Sequence, residues 1–245
     1  LALSSTMLIP AIVDSFAGNL DWIHFVKASA ITSFIGISLL LVTRGNPKNL
    51  NVKQSFILTT LSWFVTAIFA AIPFYFSSLN MTYTDSFFES MSGITTTGST
   101  VIAGLDTASP GILLWRALLQ WLGGIGFVVL AIAVLPMLRV SGNQLFQTEF
   151  SDKSAKTRPR IASLASWIGT IYVGLTGLCA AAYWIAGMSG FDAIAHAMTT
   201  IATGGFSTSD SSVGLFANSK IEIVAIFFMI AGSLPFVIYV AAARG

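Results

Sequence analysis

The sequence predicts an all-α integral membrane protein: a two-helix N-terminal extension followed by two units of helix, re-entrant loop and helix. Three observations carry this. The 245 residues are 55% hydrophobic and only 9% charged. A soluble domain is about one quarter charged, so no water-facing surface can be built and the bilayer must be part of the solvent. Six apolar stretches approach the roughly 20 residues that a spanning helix needs. Two semi-polar segments between the later stretches match each other at a fixed offset. The net charge of +2 offers no surface for a polyanion, so no nucleic acid partner is expected. Cys179 lies alone inside an apolar run, where a buried helical residue is expected rather than a nucleophile.

The stretch 1–16 lacks the basic flank and cleavage pattern of a signal peptide. It starts at Leu1 rather than Met, so a clipped chain whose first helix lacks a turn or two is expected. The stretches 22–42, 55–76, 112–138, 161–186 and 221–243 follow as spans, the last kinked at Pro235. Between the third and fourth lies 80–110, and between the fifth and sixth lies 187–220. Each holds a helical pattern of about ten residues, too short to cross, followed by a run of Thr, Ser and Gly. Such a segment between two spans reads as a re-entrant loop. The division is 1–50 for the extension, 51–140 for the first unit, and 141–245 for a loop plus the second unit.

Orientation follows from the basic residues. Arg44, Lys48 and Lys53 lie in loop 43–54. Arg139, Lys153, Lys156, Arg158 and Arg160 lie in loop 139–160. With Arg244, nine of the twelve basic residues fall on one side if six helices alternate. Most acids, among them Asp85, Asp106, Asp192 and Asp210, fall on the other. The basic side is expected in the cytoplasm, and both re-entrant loops enter from outside.

The offset is 107 residues. Placing Asp85 on Asp192 puts Thr82 on Ser189, Met91 on Met198, Ile94 on Ile201, Thr96 on Thr203 and Gly98 on Gly205. Both copies begin [ST]-x-x-D, a capping-box-like start with an acid near the positive helix end. Both end in a Thr/Gly run, Thr95-Thr96-Thr97-Gly98-Ser99 and Ala202-Thr203-Gly204-Gly205-Phe206. A cation crossing a bilayer exchanges water for other oxygens, and backbone carbonyls and Thr hydroxyls supply these without a trapping charge. A short helix entering from outside also presents its negative C-terminal end at membrane depth.

Other residues have plainer readings. Glu89 and His196 occupy matched positions and are expected to hold their short helices by hydrogen bonds, with ion attraction or proton coupling as the alternative. Arg116 is expected to snorkel or to pair with an acid of the short helix. Gly123-Gly124-x-Gly126 lies in a span without a preceding strand, so close helix packing is expected rather than nucleotide binding. Trp22, Trp63, Trp115, Trp121, Trp167 and Trp184 are read mostly as interfacial anchors.

The run Thr84-Asp85-Ser86-Phe87-Phe88-Glu89-Ser90-Met91-Ser92-Gly93-Ile94-Thr95-Thr96-Thr97-Gly98, then Trp115-Arg116-x₃-Gln120-Trp121-Leu122-Gly123-Gly124-Ile125-Gly126, resembles the Trk/Ktr/HKT superfamily, most closely its bacterial Trk-type potassium uptake subunits. Phe191-Asp192-Ala193-Ile194-x-His196, residues 201–208 and Pro159-Arg160 fit the same family. The resemblance implies a multi-pass protein of the bacterial cytoplasmic (inner) membrane, with four helix–pore-loop–helix repeats around one pore, of which this chain holds two. It implies K+ as the transported ion and no organic cofactor. Gly98 and Gly205 would take the central filter places, with carbonyls around Thr96, Thr97, Thr203 and Gly204 on the ion. Two filter strands do not close a pore, so the chain is expected to be a fragment that needs its missing C-terminal repeats, or else to pair with a second copy. The full protein is expected as a homodimer. The family's usual partner is a cytosolic nucleotide-binding regulatory ring, TrkA; loop 139–160 is either part of its docking surface or ordinary positive-inside topology. A non-transporting assembly or regulatory membrane subunit is the alternative function. An intramembrane enzyme is disfavoured, because no His/Glu/Asp cluster lies within the spans.

Overall fold

The computed structural model describes residues 1–43, 52–134 and 157–244. Among these the chain forms helices α1 (Ala2–Phe16), α2 (Trp22–Val42), α3 (Val52–Phe76), α4 (Tyr83–Ile94), α5 (Pro110–Val134), α6 (Thr157–Ala186), α7 (Gly190–Ile201), α8 (Ser219–Ser233) and α9 (Phe236–Arg244). Four are long and apolar enough to cross a membrane, or five if α8 and α9 count as one. Arg44, Lys48, Arg139, Lys153 and Lys156, and with them most of the two basic loops, lie outside the described residues.

α1 has 15 residues, about 22 Å at 1.5 Å per residue, short of the roughly 30 Å hydrocarbon core. One expected span is corrected: the sixth stretch is broken rather than kinked, with α8 and α9 meeting at 86°. Leu234 is extended (ψ 142°), as a residue before proline prefers. Pro235 has no N–H to give to the carbonyl of Ala231. The Tyr239 hydroxyl donates to that carbonyl instead, at 2.8 Å, so the break leaves it satisfied.

Buried side chains form two clusters. One joins Met7, Phe25, Phe74, Ile94 and Trp115 from α1 to α5. The other joins Ile168, Tyr172, Tyr183, Ile201 and Phe236 from α6 to α9. Helices in lipid gain nothing by hiding apolar surface from lipid, so they associate by close packing through small residues. Ala28, Ala67, Ala70, Ala193 and Ala197 are accordingly almost fully buried, while Phe34, Phe127 and Ile185 face outward. Cys179 is a buried packing residue. Trp115 and Trp121 are not interfacial anchors. Trp115 is fully buried and its indole N–H donates to Ala70 O at 3.1 Å. Trp121 donates to the Thr176 hydroxyl at 3.0 Å.

α1 is fastened to α5. Asp14 accepts from the Gly111 N–H at 2.6 Å, where the positive end of a helix favours a carboxylate. A Cβ at residue 111 would overlap that carboxylate, so glycine is what lets Asp14 approach.

Candidate functional site

The short helices α4 and α7 start and stop alike. The Thr82 hydroxyl accepts from Asp85 N–H at 3.2 Å and donates to its carboxylate at 2.7 Å. Ser189 does the same with Asp192 at 3.1 and 2.7 Å. These side-chain caps take up otherwise unpaired helix donors, as the [ST]-x-x-D spacing suggests.

The C-terminal ends match bond for bond. Thr96 N–H donates to Gly93 O, and Thr97 N–H to Ser92 O, both at 2.9 Å. Thr203 N–H donates to Thr200 O at 3.0 Å, and Gly204 N–H to Thr199 O at 2.9 Å. This is the Schellman pattern, whose left-handed position is usually glycine. Here it is threonine twice, with φ +56° at Thr96 and +52° at Thr203. A β-branched residue in that region is an outlier, and such strain concentrates at functional sites. Two residues on, Gly98 and Gly205 also have positive φ, +79° and +82°. Spacing marked Gly98 and Gly205; nothing in the sequence marked the left-handed threonines, because propensity points to glycine there.

The two segments lie against each other. A Cβ on Gly98 would run into the carbonyl oxygen of Gly204, so residues over 100 positions apart in sequence touch by backbone. Thr96 and Thr203 also share the lining of a cavity of about 530 Å³, with Gly124, Tyr172 and the Leu234–Pro235 break. Thr97, Thr203 and Gly205 are exposed, Thr96 and Gly98 are half-buried, and Gly204 is buried.

A polar frame stands behind them. Glu89 on α4 and Arg116 on α5 form an ion pair at 2.8 Å, essentially inaccessible on both sides. Glu89 also accepts from the Thr100 hydroxyl at 2.9 Å and from Val101 N–H at 3.0 Å. Arg116 reaches across to the second segment: it donates to Ser207 O at 2.7 Å and lies 4.1 Å over the Phe206 ring. So Arg116 pairs rather than snorkels. His196, at the position matched to Glu89, bridges Asp192 O at 2.9 Å and the Ser207 hydroxyl at 3.0 Å. Both residues hold their loops by hydrogen bonds, as expected. Asp210 ties the segments that follow α4 and α7 to each other by accepting from Gly104 and Leu105 N–H at 3.0 and 3.1 Å.

α5 crosses behind both segments, and its glycines make room. A Cβ on Gly123 would strike Ile94 O, and one on Gly124 would lie 2.7 Å from the Tyr172 hydroxyl. The Gly-Gly pair is therefore a packing device. Gln120 is the residue sequence reasoning passed over. It is fully buried and accepts from Phe206 N–H at 3.0 Å. The available signal was a lone amide in an apolar span, which is costly unless it has a task.

Long apolar helices enclosing an irregular, hydrogen-bonded backbone define an all-helical integral membrane protein. The chain belongs to the TrkH family of cation transport proteins, whose model matches residues 23–243. It is 43% identical to the Trk system potassium uptake protein TrkI of Halomonas elongata, over 100% of this chain and 50% of that protein. It is 45% identical to the Trk system potassium uptake protein TrkH of Escherichia coli K12, over 94% of this chain and 48% of that one. The crystal structure of the potassium transporter TrkH from Vibrio parahaemolyticus matches with a TM-score of 0.89 and 38% identity, over 99% of this chain and 49% of that one. The chain thus spans about half the length of the curated relatives it matches. By name these relatives are transporters, not enzymes.

Proposed function

We propose that this chain supplies half of a potassium uptake pore in the bacterial cytoplasmic membrane, with the backbone of Thr96, Thr97, Gly98, Thr203, Gly204 and Gly205 as its share of the filter. The supporting observation is the matched pair of helix ends, each with a left-handed Thr and a left-handed Gly two residues apart, packed backbone to backbone. Alternating φ sign is a condition under which successive carbonyls share one side of a chain instead of alternating as in a strand. Such a row exchanges for the hydration shell of a cation. The C-terminal ends of α4 and α7 add negative dipole ends at the same place.

In this reading residues 1–50 are an extension, and 51–140 and 141–245 are two of four helix–pore-loop–helix repeats. Both loops enter from outside. The other two repeats come from further protein or from a second copy, the complete protein works as a homodimer, and a nucleotide-binding ring of the TrkA kind docks on the basic cytoplasmic loops. Replacing Gly98 by Ser in the intact protein tests the reading. The expected outcome is a fall in potassium-over-sodium selectivity in a liposome flux assay. Unchanged selectivity would remove the filter assignment.

A further inference from the structure

Arg116 and Gln120 stand four residues apart, hence on one face of α5, and both meet residues 206–207. Arg116 donates to Ser207 O at 2.7 Å, and Gln120 Oε1 accepts from Phe206 N–H at 3.0 Å. The Gln120 amide lies flat on Gly204: a Cβ there would come within 2.6 Å of Nε2 and closer still to Oε1. Gly204 does not have positive φ; it is glycine where Gln120 needs the space. Gly232 stands over Ile201 O as Gly123 stands over Ile94 O, so in the second unit the position of Gln120 is taken by Met229, an exposed thioether without an amide. Among the described residues the contact is therefore made once, from the first unit to the second.

The peptide plane gives this contact a consequence. The bond between Gly205 and Phe206 is trans, and the N–H and C=O of a trans peptide point in opposite directions. Holding Phe206 N–H against Gln120 turns the Gly205 carbonyl away from α5. Gly205 is exposed, at φ +82° with nothing within 4 Å of its would-be Cβ. A glycine with that freedom does not hold the plane by itself. We propose that Gln120 is a selectivity-determining positioning residue: it fixes the direction of the Gly205 carbonyl toward the ion path, a role that rests on the filter reading. Its Nε2 is buried and has no hydrogen-bond partner among the described residues. That nitrogen lies 3.7 Å from the place of a Cβ on Gly98, so one side chain borders both segments.

The test uses the intact protein in liposomes, with the potassium/sodium flux ratio read beside thermal stability. Gln120→Met keeps length and removes the acceptor; Gln120→Glu keeps an acceptor oxygen. The Met variant is expected to transport potassium with its ratio reduced about fivefold, the worth of one hydrogen bond. The Glu variant is expected to keep the ratio near that of the parent. A parental ratio in a folded Met variant, or a collapsed ratio in a folded Glu variant, overturns the proposal. Failure of both to fold also overturns it and makes Gln120 a packing residue. Gly98→Ser, run in parallel, separates the two ideas. If it leaves the ratio unchanged, the filter reading itself fails. If it lowers the ratio while Gln120→Met does not, only the role of Gln120 falls.

Discussion

Thr96 and Thr203 carry the strain of the site. A non-glycine residue held left-handed costs about 1–3 kcal/mol, and the Schellman end would be relieved by glycine. Thr96→Gly should therefore raise the thermal unfolding midpoint, by the equivalent of about 1 kcal/mol once the extra freedom of the unfolded chain is counted. It should also lower ion selectivity, because a glycine no longer holds the peptide in place. A destabilised variant would show that the left-handed threonines are not strained. The glycines at 98 and 205 are unequal: a side chain at 98 meets both unfavourable φ and the Gly204 carbonyl, whereas at 205 it meets unfavourable φ but open space. Gly98→Ala should thus impair transport more than Gly205→Ala in the same flux assay. Arg116 and Glu89 act as one unit. Arg116→Met leaves Glu89 buried without its counter-charge and should cost about 3–5 kcal/mol, part of which a second change, Glu89→Gln, restores. Additive losses in a thermal-stability cycle would show that the two are independent.

At the scale of helices, the sequence spoke clearly where chemistry is local. Thr82 and Ser189 were legible as caps, because an oxygen three residues before an exposed N–H is a local device. Ile94 and Ile201 were legible as helix ends because Thr/Gly runs follow them. Pro235 marked the last span for bending, but the angle of the break and the Tyr239 hydroxyl on the Ala231 carbonyl are tertiary details. Trp115 and Trp121 were misread because a helix apolar on all sides does not say which face meets lipid and which meets protein. The orientation rests on Lys and Arg, most of them outside the described residues. It is checked by cysteines at Asp106 and Ser211, both exposed loop positions, in a protein whose own Cys179 is buried. Both should react with an impermeant reagent added outside intact cells. Reaction of either only after lysis would break the topology.

The whole molecule is a question of closure. Irregular backbone at membrane depth is tolerated only where protein or a water-filled cavity covers it, and an unsatisfied polar group there costs several kcal/mol. The segments 96–98 and 203–205 cover each other on one side, through Gly98 and Gly204. In the proposed reading their exposed sides are covered by further protein or by a second copy; the chain spans about half the length of the relatives it matches. The 245-residue chain reconstituted alone should give no selective rubidium uptake, whereas the complete protein should. Selective uptake together with a dimer by mass would mean that two copies close the pore. The central claim, that these two segments hold the ion, is tested most directly by rubidium anomalous diffraction from crystals of the complete protein. The account predicts a peak against the backbone carbonyls of residues 96–98 and 203–205, lost in Gly98→Ser. Rubidium bound elsewhere, with these carbonyls bare, would contradict it.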